Sequence, residues 1–126
     1  MLRAFGNDEA ADWALGFLDA NKPAEFLAST LDLAKGDDYL EAPDGSQIVA
    51  AAVIAAACGN PPQGLPDNVR EWVRGKEAPV KNLAPAALAA LQRVQGEQSE
   101  LRELWQESDD FSVWRSDLDA ISAALR

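Results

Sequence analysis

The sequence predicts an all-α fold: a compact single-domain bundle of about six or seven helices around an alanine-rich central helix, spanning residues 1–126. Three observations predict it. No alternating β-branched run is bounded by turn residues, while apolar residues recur three and four apart through most of the chain. Asn, Asp, Ser, Pro and Gly stand where helices start and stop. The run "IVAAAVIAAAC", residues 48–58, is apolar on every side, as suits a helix surrounded by others. A chain of this length buries about two-thirds of its unfolded surface on folding, so one core suffices.

Taken in order, Asn7 or Asp8 caps a first helix running to about Ala20, with Ala10, Trp13, Ala14, Phe17 and Leu18 on one face. A second starts at Pro23, a good first-turn residue, and stops at Gly36; its face is Phe26, Leu27, Thr30, Leu31 and Ala34. "KGDDYLEAPDGSQ" reads as a turn-rich connection, and the central helix is expected from Ser46 to Cys58, ended by Gly59. After the rigid "NPPQGLP" loop, Asp67 or Leu65 opens a short fourth helix buried through Val69, Trp72 and Val73. A fifth runs from Ala84 to Val94, with Pro85 in its first turn and Ala87, Leu88 and Leu91 inward. Ser99 caps a sixth carrying Leu101, Leu104 and Trp105. The last, Phe111 to Leu125, places Phe111, Trp114, Leu118, Ile121 and Leu125 along a narrow seam that faces either the core or a second subunit, as in a homodimer. The four tryptophans fall on inward faces, where core packing outweighs ligand stacking.

Composition removes whole classes of chemistry. The chain has no histidine and one cysteine, Cys58. Ser-His and Cys-His nucleophile systems, the usual zinc and non-haem iron ligand sets and an internal disulfide are thereby excluded. Cys58, at the end of the most apolar helix, reads as an inert core residue. "MLRAFGNDEA" has no apolar run behind its arginine, so no secretory signal is expected. The eleven-residue apolar run falls short of the ~20 residues needed to cross a bilayer. A cytoplasmic protein without membrane contact is the expectation.

The net charge of −10 is uneven. Residues 1–45 hold ten acids and three bases, residues 46–96 three and five, and residues 97–126 eight and three. Such a surface repels phosphate backbones, so nucleic acid is not an expected partner. It suits either solubility or a basic protein partner. Arg70, Arg74, Lys76 and Lys81 form the one basic stretch, an internal complement to the acidic ends.

Four blocks in order carry a resemblance: "FGNDEAADW", "YLEAP" leading into the alanine-rich helix, "LPDNVREWV", and "SELRELWQES" before a tryptophan-bearing helix. Together they resemble a bacterial family of small proteins catalogued as a domain of unknown function, number 4259. The resemblance covers most of the chain and implies a small bacterial protein with a helical fold. It carries no catalytic residue across, and the opening "MLRAFGND" departs from the glycine-tryptophan-rich start and Phe-Asp-Asn-Asp run of the family.

The candidate acidic site is Asp8, Asp12, Asp19, Asp37, Asp38 and Glu41. At 100° per residue Asp8, Asp12 and Asp19 fall within about 40° of one another, opposite Trp13 and Phe17. The plain reading is a solvated face, with Asp8 and Glu9 favoured in the first turn by the helix dipole. Asp19 sits at the unfavourable end, and the Asp8/Asp12 pair repels by a few tenths of a kcal/mol. A metal reading needs further oxygens, from Asp37, Asp38 or Glu41, and "DDYLEAPDG" lacks calcium-loop spacing. Paired carboxylates acting as general acid and base are the third reading. Glu100, Glu103 and Glu107 line one side of the sixth helix, in solvent. The sequence therefore favours a non-enzymatic acidic interaction module, immunity-like or regulatory, with no cofactor and a basic protein as partner. The rival is a divalent-metal-binding protein or hydrolase using Asp8 and Asp12.

Overall fold

In a computed structural model, residues 8–19, 21–35, 39–57, 67, 70–71 and 83–125 are described. Among them are six α-helices: α1 (Asp8–Asp19), α2 (Pro23–Leu31), α3 (Ala42–Ala57), α4 (Ala84–Val94), α5 (Glu100–Gln106) and α6 (Phe111–Leu125). The expected fourth helix, with Trp72, lies almost wholly outside the described residues, as does Cys58. No described helix is long and apolar enough to cross a membrane.

The architecture follows from α3. Every residue from Ile48 to Ala56 is buried. A helix without a polar face must be enclosed, and α3 packs against each of the other five. Its alanines hold no long side chains to keep neighbours away, so α4 lies close along it. The inward residues of α4 are Ala87, Ala90, Leu91 and Val94, again mostly small. Gly45 makes the approach of α5 close: a Cβ there would sit 3.2 Å from Leu101 Cβ.

The helix α3 starts four residues earlier than expected, at Ala42 rather than Ser46. "APDG", read as part of a connection, is its first turn, with Asp44 at the positive end of the dipole. An orphan amide of that turn, Ala42 N–H, donates to Glu100 Oε1 at 2.8 Å, a partner 58 residues away. In contrast, α2 stops at Leu31 and tightens into a 3₁₀ turn, Asp32–Ala34, before Lys35 turns extended.

Two aromatic clusters flank the hub. At the α1–α2 end, Trp13 stacks on Phe17 (centroids 5.5 Å) and leans on Phe26 (5.7 Å). The buried indole N–H of Trp13 donates to Thr30 Oγ1 at 2.8 Å, and that hydroxyl donates to the Phe26 carbonyl at 3.0 Å. At the α5–α6 end, Trp105 stacks on Trp114 (6.0 Å), which also meets Phe111 (5.9 Å). Trp114, Leu118 and Leu125 are buried, and α6 packs on α3 and α4. Its buried seam residues are thus turned into the core.

Candidate functional site

The predicted acids do not gather into one centre among the described residues. Asp8 opens α1, and its side chain lies outside the described set, as do Asp37 and Asp38. Asp12 and Asp19 are exposed on α1, and Glu41 is exposed just before α3. No three described His, Cys, Asp or Glu side chains are placed to hold a metal ion together.

A carboxylate site that the sequence reading missed lies where the segment 39–42 crosses the start of α5. It is built from the main chain outward. Leu40 N–H donates to the Gln98 carbonyl and Glu100 N–H donates to the Leu40 carbonyl, both at 2.8 Å. These make an isolated parallel bridge between Leu40 and Ser99. The Gln98 carbonyl accepts a second bond, from Arg93 Nη1 at 3.0 Å, which ties the end of α4 to the same point. Ser99, fully buried, caps α5 by accepting from Arg102 N–H at 3.3 Å. Glu100 then reaches back to Ala42 N–H, so each segment satisfies orphan amides of the other. The expectation that Glu100 is simply solvated is corrected: it is half-buried and holds a helix start.

Next to this clip stands Tyr39, 45% exposed. Partial desolvation, hydrogen bonding toward the Glu103 carboxylate, and the negative charges of Glu103, Glu100 and Glu41 push its pKa up to about 12. The phenol stays protonated and serves as a donor throughout the physiological range. Leu104, one of the apolar residues that α5 carries, is also exposed, at 51%. The reason is the brevity of α5. Seven residues bury one narrow stripe, Leu101 toward Gly45 and Trp105 toward Trp114, and Leu104 lies beside that stripe. Two signals pointed here in the sequence: a tyrosine embedded in "GDDYLEAP", and a serine cap directly before Glu100.

A separate cleft of about 330 Å³ lies between α4 and α6, walled by Leu88, Gln92, Gln95, Asp119 and Ser122. None of the predicted site residues lines it.

What this arrangement can do chemically is limited and specific. Tyr39 offers an aromatic edge and a protonated hydroxyl, Leu104 an apolar knob, and Glu41, Glu103 and Glu107 offer exposed negative charge. The chain belongs to the family described as Domain of unknown function (DUF4259), whose match covers residues 2–117. Neither the curated proteins nor the solved structures include a match to the chain.

Proposed function

We propose that this protein is a non-enzymatic interaction module of the bacterial cytoplasm, immunity-like or regulatory, that presents an acidic surface to a basic protein. The observation that carries the reading is where the charge sits. No carboxylate side chain among the described residues is buried: the buried polar residues are Thr30, Ser46 and Ser99. Among the described residues the acids therefore present their charge at or near the surface, in a chain whose formal net charge is −10. Ion pairs such as Lys22–Glu25 and Lys35–Asp32 are local and exposed, and each contributes at most about 1 kcal/mol. Charge of this kind steers a partner of opposite sign and sets orientation and on-rate.

Co-purification tests it. The full chain, used as bait in native extract at low salt, is expected to retain a basic protein that elutes as salt is raised, because exposed charges are screened beyond roughly 10 Å at 0.1 M. Recovery of no partner, or of one held unchanged through high salt, overturns the electrostatic reading.

A further inference from the structure

We infer that the outer face of α5, with Tyr39 and Glu41 beside it, is a docking face for a lysine- or arginine-bearing amphipathic segment of another protein. This inference rests on the interaction reading above and gives it a location and a partner chemistry. At 100° per residue, Glu100, Glu103, Leu104 and Glu107 fall within about 100° of one another, with Leu104 at the edge next to the Leu101 and Trp105 stripe and the acids farther round. Tyr39 is brought beside this row by the main-chain bonds of its neighbour Leu40 to Gln98 and Glu100. The face thus carries two large exposed groups, Leu104 and Tyr39, in company with the exposed carboxylates Glu41, Glu103 and Glu107.

An exposed leucine alone is ordinary. Here the same face has an exposed tyrosine whose neighbour in the chain, Leu40, is pinned by its main-chain bonds to Gln98 and Glu100. A backbone fixed before binding loses little entropy on binding, and tyrosine is among the residues that dominate interface energetics. The surrounding acids choose the occupant. A guanidinium or ammonium finds Glu103 and Glu107 as partners and the Tyr39 ring as a cation–π surface, while an apolar residue of the same segment covers Leu104. A second copy of this chain would bring the same carboxylates and a net charge of −10 to the face, so like charge opposes it.

The test titrates the isotope-labelled full chain at low salt with a synthetic leucine/lysine amphipathic helical peptide. The matched leucine/glutamate peptide and a glycine/lysine polymer are run in parallel. Amide shifts are expected to concentrate at residues 39–41 and 100–107 with the first peptide and to be absent with the glutamate peptide. Leu104→Ser, an exposed change checked by its melting temperature, is expected to weaken binding about tenfold. The Asp12→Asn/Asp19→Asn pair is expected to leave it within about twofold. Binding that spreads over α1 as strongly, or that Leu104→Ser leaves unchanged, overturns this inference while the wider acidic reading stands. Failure of every cationic probe to bind at low salt overturns both. Sedimentation showing a dimer that Leu104→Ser dissociates gives the face to a second copy and likewise overturns the inference.

Discussion

The two aromatic clusters have nearly the same ring spacing and differ in how far they are enclosed. At the α1–α2 end the centroids lie 5.5–6.2 Å apart, at the α5–α6 end 5.9–6.0 Å. Trp13 and Phe17 are buried, Phe26 is half-buried, and the polar edge of the indole is satisfied inside by Thr30. At the other end only Trp114 is buried; Trp105 and Phe111 are half-buried, with the Arg115 guanidinium 5.9 Å from the Phe111 ring centre. The difference lies in what surrounds the rings. Both α1 and α2 lay a full apolar face on α3, whereas α5 has room for one stripe and keeps its other sides for carboxylates and Leu104. Ring contact alone does not make a core; enclosure by neighbouring elements does. The first cluster stabilises the fold, and the second closes the core behind a surface left open.

The largest expected effect tests that contrast directly. Phe17→Ala removes a fully buried ring and is expected to cost about 3–5 kcal/mol, while Phe111→Ala, at the half-buried edge, is expected to cost about 1–2 kcal/mol. Urea unfolding of both variants, compared at equal m-value, measures the gap. Equal losses would show that the two clusters are enclosed alike.

A smaller effect isolates the polar handle. Thr30→Val keeps the shape and removes the acceptor of the Trp13 N–H, leaving a buried donor unsatisfied at about 1–3 kcal/mol. Thr30→Ser restores the hydroxyl and is expected to recover most of that. If valine is tolerated as well as serine, burial alone explains the first cluster and the hydrogen-bond relay adds nothing.

Much of this division was readable in the chain, and the reason is locality. Helical periodicity and capping are short-range signals, so α4, α6, the Ser99 cap and the central role of the alanine-rich helix follow from neighbours in sequence. The inward Trp13 and Phe17 do too. Contacts between distant segments were not readable. Nothing near Ala42 announces that Glu100 will cap it, so α3 was expected to start late and Glu100 to stand in solvent. Nothing near Leu104 announces how few neighbours α5 has. The acids chosen as a site were chosen by clustering in sequence, which on α1 leaves Asp12 and Asp19 on an exposed helix face. The junction at Tyr39 draws its carboxylates from two segments about 60 residues apart.

The last and smallest effect concerns that junction, and the chain offers a clean probe because it contains one tyrosine. With its pKa raised from the ordinary 10.0 to about 12, Tyr39 favours folding in its neutral form. The sign follows: this contribution is fully present below pH 10 and is lost as pH rises toward 12. Tyrosinate absorbance followed against pH is expected to show a midpoint near 12. Desolvation is the largest cause and Glu103 the next, so Glu103→Gln, which keeps a carbonyl acceptor but removes the charge, lowers the midpoint only part of the way toward 10.0. Asp12→Asn, on the exposed face of α1, is expected to leave it where it was. A wild-type midpoint already at 10.0, or one indifferent to Glu103→Gln, would detach Tyr39 from the α5 row and leave the second aromatic cluster bordering on nothing but solvent.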